Sequence, residues 1–465
     1  MRAYDHGQEN AKPNKAVGGF DIIHPDAAGI DVGAGEMWVC VPPGRVTENV
    51  RRLGTVTSQL QLIEQWLKDC GVKTAAMEST GVYWIPLFQI LEAAGLEVYL
   101  VNAQHVKNVP GRRKTDRLDC QWLQKLHACG LLNASFRPAG DLCRLRSYLR
   151  HRDTLIVMGA QHIQHMQKAL REMNVLLDQV VSDITGTTGL RIITAILDGN
   201  RDFAQMASWR DPRLKASQTQ IVEALRGDYR AEHLFVLRQA LEAYRFVEQQ
   251  IQTLDREVEQ LLIGIEKASG KPKRPLPEGG LTGREKRRGN APEYDVQSHL
   301  YQMTGIDLTR APGLGAAVVQ SLISETGTDM SPWPTEKHFA SWLGLAPDPK
   351  ISGGRIIGHN HRHVQSRAAK LFRTSAMALH RSPTWLGAFY RRMKGRLGGR
   401  TAVNATAHKL AVLYYRMLQS GRAYQDTSAA EYEQRFQKRM LQNLKRRARQ
   451  YGFELVERPQ PVPAL

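Results

Sequence analysis

Two carboxylates three residues apart, Asp116 and Asp119, stand inside the basic stretch Arg112-Arg113-Lys114-Thr115-Asp116-Arg117-Leu118-Asp119. On a helix that spacing puts both on one face, where like charges must share a proton or a cation. Two earlier acids fit the same site: Asp31 in Ala28-Gly29-Ile30-Asp31-Val32-Gly33 and Glu78 in Ala75-Ala76-Met77-Glu78-Ser79-Thr80. Hard carboxylate oxygens suit Mg²⁺ or Mn²⁺, and a pair of such ions can activate an attacking oxygen and stabilise a leaving one in phosphoryl transfer. Taken singly, each acid has a blander reading: Asp116 as a helix cap, or Lys114 and Arg117 as its ion-pair partners. The four in this order point to metal-assisted phosphate chemistry.

Further along, Lys350-Ile351-Ser352-Gly353-Gly354-Arg355 presents a serine beside two glycines in a basic loop. Such a serine is exposed and able to approach a nucleic-acid backbone as a nucleophile; the competing reading is an ordinary Gly-containing loop. No local base stands beside Ser352, so metal or an arginine such as Arg355 has to help it. In Ala311-Pro312-Gly313-Leu314-Gly315, the glycines would let backbone N–H groups meet a phosphate in a helix-hairpin-helix turn, with a plain turn as the alternative. His359, His361 and His363 alternate, a pattern open to a metal site or, more ordinarily, to phosphate contacts.

These residues need elements to position them. Ala27–Val32, Met37–Val41 and Val46–Val56 read as a three-stranded antiparallel meander, and Leu60, Ile63, Trp66 and Leu67 recur at helical spacing. A strand over Val72–Met77 ends on Glu78, a helix over Tyr83–Ala94 closes at Gly95, a strand follows over Glu97–Val101, and the acidic helix with Trp122, Leu123 and Leu126 comes last. That order is the order of a ribonuclease H-like domain, in which the four acids can converge. Helices over Asp141–Leu177 and Ala231–Lys267 follow. In the second, Ile251, Leu254, Val258, Leu261 and Ile265 alternate steps of three and four, continued upstream by Leu234, Leu237, Leu241 and Tyr244 after one short step to Val247, a local stammer. The seam predicts a coiled coil that self-associates; packing of the two helices within one chain is the alternative. Gly270–Pro292 reads as a basic linker, and helices are expected over Glu336–Leu343, His363–His380, Thr401–Leu418 and Glu431–Gln450.

Of the 465 residues, 64 are Lys or Arg against 45 Asp or Glu, a net charge of +19. Such an excess favours a polyanion, since neutralising phosphates releases condensed counterions. No apolar run is long enough to cross a membrane, and the first residues lack a signal-peptide core. The five cysteines (Cys40, Cys70, Cys120, Cys129 and Cys143) show no CxxC spacing and fit reduced thiols. A cytosolic protein is the expectation.

Gly29-Ile30-Asp31-Val32, Met77-Glu78-Ser79-Thr80-Gly81-Val82-Tyr83-Trp84, Lys114-Thr115-Asp116-Arg117-Leu118-Asp119, Ala311-Pro312-Gly313-Leu314-Gly315 and Leu343-Gly344-Leu345-Ala346-Pro347 with Ser352-Gly353-Gly354 together resemble the DEDD insertion-sequence transposases of the one-ten family, over about residues 26–420. The resemblance implies a RuvC-like (ribonuclease H-like) α/β domain, a helical coiled-coil middle and a mainly α C-terminal transposase domain. The boundaries expected are a flexible leader at 1–24, the DEDD domain at 25–140, the dimerisation segment at 141–268, the basic linker at 269–300, the serine-containing domain at 301–422, and a basic helix and tail at 423–465. It implies a tetrad of Asp31, Glu78, Asp116 and Asp119 holding Mg²⁺ or Mn²⁺, and Ser352 forming a phosphoserine with DNA. Arg112, Arg113, Lys114, Gly313, Gly315, Gly353, Gly354 and Arg355 are the expected nucleic-acid contacts. The partners implied are donor and target DNA, a structured non-coding bridge RNA that pairs with both, and further copies of the chain in a dimer or tetramer. Where the family commonly has a Lys and a Gly-Asn before a helix, this chain has Gly358-His359-Asn360-His361-Arg362-His363. The segments at 176–230 and 268–300 exceed what a minimal member needs.

The rival readings are a RuvC-type Holliday-junction endonuclease that hydrolyses with water, an actin-like or sugar-kinase-like phosphotransferase using Gly29-Ile30-Asp31-Val32-Gly33 as a phosphate loop, and an inactive nucleic-acid-binding descendant.

Overall fold

Alternation along the strands lets the first sheet be covered on both faces. Strands β1 (Ala27–Val32), β2 (Glu36–Cys40) and β3 (Val50–Gly54) form the antiparallel meander. Strands β4 (Thr74–Glu78) and β5 (Glu97–Val101) add in parallel, giving the five-stranded order β3-β2-β1-β4-β5. The third strand is shorter than its apolar pattern predicts, because Pro42, Pro43 and Gly44 (φ +84°) open a turn and pairing resumes only at Val50. One face carries Ala28, Ile30, Val32, Ala75, Met77 and Leu100, packed against α1 (Thr57–Asp69) through Leu60, Ile63, Trp66 and Leu67 and against α2 (Trp84–Ala93) through Leu87, Phe88 and Leu91. The opposite face presents Ala76, Tyr99 and Val101 to Trp122, Leu123 and Leu126 of α3 (Asp116–Ala128).

This computed structural model describes residues 21–79, 81–102, 115–138, 140–268, 289–359, 366–425 and 428–456. The chain forms two units, Met1–Phe136 and Arg137–Leu465. Residues 1–20 of the expected leader and 269–288 of the expected linker lie outside the described residues; at the leader's end the Ile23 and His24 N–H groups donate to the Ala128 carbonyl at 2.8 and 2.9 Å, which ties residues 23 and 24 to the first unit. Among the described residues, no helix is long and apolar enough to cross a membrane.

The second unit is built on two long helices, α4 (Asp141–Glu172) and, after four short ones, α9 (Ala231–Ala268). They run antiparallel along each other: Arg152 meets Asp255, Gly159 faces Val247, and Glu172 faces His233. Leu237, Leu241, Val247, Val258 and Leu261 of the expected seam are buried, while Ile251, Leu254 and Ile265 are half-buried. The two helices therefore pair within one chain, the alternative the sequence left open. The residues between them, which had no expected structure, form α5 (Leu177–Val180), α6 (Thr187–Leu197), α7 (Phe203–Ser208) and α8 (Gln218–Leu225), whose Ile192, Ile193, Ile196, Met206, Ile221 and Leu225 close a core with Met166, Leu170 and Leu237.

Beyond the linker come α10 (Val296–Thr304), α11 (Ala316–Thr326), α12 (Glu336–Trp342), the hairpin β6 (Pro349–Ser352) and β7 (Arg355–His359), α13 (Arg367–Ala378), α14 (Trp385–Leu397), α15 (Gly399–Ser420) and α16 (Ala429–Gln450). Phe339 of α12 stacks on Tyr414 of α15, and Phe372 of α13 meets the same ring edge-on. Arg150 of α4 grips Glu325 of α11 with two bonds of 2.9 and 2.7 Å.

The α4–α9 pair buries a charged couple. Arg152 Nε and Nη2 donate to the Asp255 carboxylate at 2.6 and 3.0 Å, and Nη1 donates to the Asn290 carbonyl at 3.1 Å. Removing one partner leaves a buried charge uncompensated, so Arg152→Ala is expected to cost about 3–5 kcal/mol in urea unfolding. Arg152→Met with Asp255→Leu is expected to restore most of that loss; a single variant as stable as the wild type would show that the pair carries no such role.

A second test concerns His127, buried in the last turn of α3 with Nε2 2.8 Å from Thr74 Oγ1 and its ring against those of His24 and Tyr99. Burial, and then the charge of His24, push it down from 6.5 to about 4. Between these values the unfolded chain binds a proton that the folded one refuses, so stability is full above the ordinary value and falls as pH drops toward the lowered one. The urea midpoint is expected to fall from pH 7 to pH 5 by more in the wild type than in His127→Gln; equal falls would remove His127 as a cause.

Candidate active site

Helix α3 starts where Thr115 caps it, the Thr115 hydroxyl accepting from the Leu118 N–H at 3.3 Å. The cap is Thr115 rather than Asp116, which leaves Asp116 and Asp119 together in the first turn, where the helix dipole favours negative charge. Asp116 is exposed and Asp119 half-buried, with its Oδ1 withdrawn from solvent.

The strands bring the other two acids to the same region. Strands β1 and β4 are parallel neighbours in register, Gly29 beside Ala76 and Ile30 beside Met77. Asp31 and Glu78 are each the next residue, so they leave the pair side by side at its carboxyl end. By strand alternation Asp31 shares a face with Gly29, and Glu78 with Ala76, which is the face α3 covers. Both acids are half-buried. Ser79 ties the end of β4 to β5, its N–H and hydroxyl donating to the Val101 carbonyl at 3.0 and 3.1 Å.

The direction of α3 follows from its contacts on β1. Gln124 Nε2 donates to the Ala27 carbonyl at 3.2 Å, and a Cβ on Gly29 would stand 2.2 Å from the Gln124 nitrogen and 2.3 Å from the Cys120 carbonyl oxygen. Nearer the strand's end, the Asp31 charge acts on Cys120. The helix therefore runs against β1, and its first turn, with Asp116 and Asp119, lies toward the end of β1 that carries Asp31. Cys120 is buried beside Cys40; the hydrogen bond between the thiols, then burial and the Cys40 charge, then the Asp31 charge, push the Cys120 thiol far up, so it stays protonated.

All four donors are carboxylates, the chemistry a hard divalent cation prefers. Sharing one end of one sheet face is not the same as closing into a cage: among the described residues, no group of three or more His, Cys, Asp or Glu is gathered closely enough to hold a metal. Arg112, Arg113 and Lys114 lie outside the described residues, as do His361 and His363.

In the second unit, Ser352 is not in a free loop. It is the last residue of β6, paired in register with Arg355 across a two-residue turn made by Gly353 (φ +54°) and Gly354 (φ +74°). Two successive positive φ angles match the twist of a tight hairpin, which explains the Gly-Gly pair without any ligand. Ser352 and Arg355 are exposed, as are Ile351 (64%), Ile356 (63%) and Ile357 (69%). Gly313 has φ +87° and packs on Leu379, and Gly315 precedes the first turn of α11. That turn follows a 3₁₀ turn over Leu308–Arg310, so the helix-hairpin-helix geometry is only partly present.

A five-stranded mixed sheet flanked by helices, with acids at the carboxyl ends of its central strands, defines an α/β domain consistent with a RuvC-like fold, and the rest of the chain is mainly helical. A family model for DEDD transposases of the IS110 type, described as a transposase, matches residues 28–175. A second, described as the transposase IS116/IS110/IS902 family, matches residues 307–391. The chain belongs to this IS110 family of transposases. An "Insertion element IS110 uncharacterized 43.6 kDa protein" of Streptomyces coelicolor is 31% identical over 131 residues, 27% of this chain. The matched stretch spans 31% of that protein's length.

Gly29 is the residue that reasoning from the acids alone passes over. A side chain there meets helix backbone, which cannot rotate aside, so Gly29→Ala is expected to lower stability by about 1–3 kcal/mol. Wild-type stability in Gly29→Ala, measured by thermal unfolding, would mean that α3 does not lie directly on β1.

Proposed function

We propose that the chain is the DNA transposase of an insertion sequence, cutting and rejoining strands with Asp31, Glu78, Asp116, Asp119 and Ser352. The observation that carries the reading is the adjacency of Asp31 and Glu78 at the ends of parallel neighbours, on the face covered by a helix whose first turn holds Asp116 and Asp119. Bound Mg²⁺ or Mn²⁺ would be held by these carboxylates and would supply charge stabilisation to phosphoryl transfer.

Ser352 is the nucleophile in this reading. Its Oγ forms a bond to a DNA phosphorus as the bond to the leaving deoxyribose oxygen breaks; the serine proton is released and the leaving oxygen takes one up. The phosphoserine ester keeps a phosphodiester for rejoining, which reverses the step with a different strand end. Arg355, opposite Ser352 in the hairpin, can hold the phosphate by charge. Gly353 and Gly354 add no side chain between that backbone and DNA, and Gly313 and Gly315 offer backbone N–H groups near the start of α11. Arg112, Arg113 and Lys114 supply positive charge just before the acidic helix.

The remaining parts come from family resemblance. Self-association into a dimer or tetramer is supported by exposed Val157, Met158 and Phe246 on the α4–α9 hairpin. A bridge RNA pairing with donor and target DNA is consistent with the net charge of +19, which DNA alone also fits. The hydrolytic alternative, a RuvC-like junction endonuclease, leaves Ser352 without a part.

The test uses a DNA substrate carrying the element's ends, with the RNA that copurifies from cells expressing the gene with its flanks. Asp31→Asn, Glu78→Gln and Asp119→Asn are each expected to abolish strand cleavage while the protein stays folded. Ser352→Ala is expected to lose the covalent protein–DNA adduct on a denaturing gel and keep DNA binding. Cleavage that survives Ser352→Ala would favour the hydrolase, and cleavage that survives an acid variant would remove that acid from the site.

A further inference from the structure

Helix α16 is held at one end and solvated along the rest. Its first turns dock on α14: the Arg392 guanidinium lies 4.7 Å over the Tyr432 ring and 3.8 Å over that of Phe436, and Trp385 packs on Tyr432 at 5.6 Å. No residue of α16 is buried, and past Phe436 only Ala448 is even half-covered. A helix this polar has no packing reason to continue for nearly four more turns.

What it carries there is charge of one sign. From Arg435 to Gln450 the helix contains no Asp or Glu. Arg435 is paired with Glu431, but Lys438, Arg439, Lys445, Arg446 and Arg449 have no carboxylate within ion-pair distance among the described residues. At 3.6 residues per turn these five fall within an arc of roughly 120°, and they span about 16 Å along the axis. Tyr432, Phe436, Met440 and Leu444 follow one another at steps of four on the other side, so the docked stripe and the basic arc face different ways. Five cations kept close on one face repel one another; that arrangement makes sense against a polyanion. Both matched stretches end before this helix, at residues 175 and 391.

We propose that the basic arc of α16 grips the phosphate backbone of duplex DNA, independently of sequence and through residues other than those assigned to strand cleavage. The occupant is a duplex for two reasons. Single-stranded binders interleave aromatic rings with their cations as stacking platforms, and this arc has none, its two rings being under Arg392 on the docked side. A bare helix about 10–12 Å across matches a B-DNA major groove about 12 Å wide, whereas the A-form RNA groove is too narrow to admit one. The proposal rests on the reading that the chain acts on DNA.

The test compares the full-length wild type with K438Q/R439Q/K445Q/R446Q/R449Q, binding a short duplex of random sequence at a series of KCl concentrations. Each phosphate contact contributes roughly 0.9 to the slope of log affinity against log salt, so the variant's slope is expected to be shallower by about 4.5, with an unchanged melting temperature. Binding to the same duplex at moderate salt is expected to fall on the order of a hundredfold or more. An unchanged slope in the variant, with the wild type binding normally, overturns the role of α16 alone. A wild type that does not bind duplex at all overturns the DNA reading of the whole chain. A loss seen with structured RNA and not with duplex overturns the choice of occupant. Met440→Ser with Leu444→Ser should leave the slope unchanged; a comparable loss there, with a change of oligomeric state, would make α16 a protein interface instead.

Discussion

Everything in the first unit depends on a helix lying against a strand with no side chain between them. Gly29 gives α3 that room, with the helix backbone at Cys120 and Gln124 occupying the space a Cβ would need. Close approach fixes the direction of α3, and direction decides which turn of the helix reaches the end of β1. Because Thr115 caps the helix, that turn is the one with Asp116 and Asp119. A one-residue slip in β1 would carry Asp31 to the opposite face, among Ile63, Leu67 and Leu87, where a carboxylate would be expensive to bury. Hydrophobic alternation on one face thereby secures the acids on the other.

The second unit follows a different rule. Its two long helices are kept in register by a paired charge, Arg152 with Asp255, and by small and apolar contacts between it and the Glu172 end of α4. Pairing within the chain leaves Val157, Met158 and Phe246 outward. Through Arg150 and Glu325 the same hairpin fastens α11 of the C-terminal part, so that the Ser352 hairpin projects from a braced scaffold. An isolated two-stranded hairpin is marginal in water, and the exposed isoleucines around Ser352 are the kind of surface that a bound partner or nucleic acid would cover.

The sequence was most legible where one periodicity ran uninterrupted. Strands Ala27–Val32 and Glu97–Val101 have the ends their alternation predicts, and the long helices Asp141–Glu172 and Ala231–Ala268 lie within a few residues of expectation. It was least legible between 176 and 230, where helices of four to eleven residues are too short to show a period and their burial is decided by one another. Helix Trp385–Leu397 escaped notice for a related reason, its buried residues being Leu386, Gly387, Ala388 and Tyr390 in a single turn. The Ser352 element read as a loop because Gly-Gly marks any turn, and only the pairing of Pro349–Ser352 with Arg355–His359 makes it a hairpin. For the acids, type and order were visible in the chain, but their common face depends on strand register and helix direction, which spacing alone does not supply. The Cys40–Cys120 contact and the fit at Gly29 belong to that same packing.

The most direct test is crystallographic: crystals of the protein grown with Mn²⁺, with the anomalous difference map used to locate the ion. The expected result is a peak within coordination distance of Asp31 and Glu78, with a further carboxylate from Asp116 or Asp119 at the start of α3. Manganese bound elsewhere, with Asp31 and Glu78 facing away from the first turn of α3, would contradict the convergence of the four acids and with it the proposed chemistry.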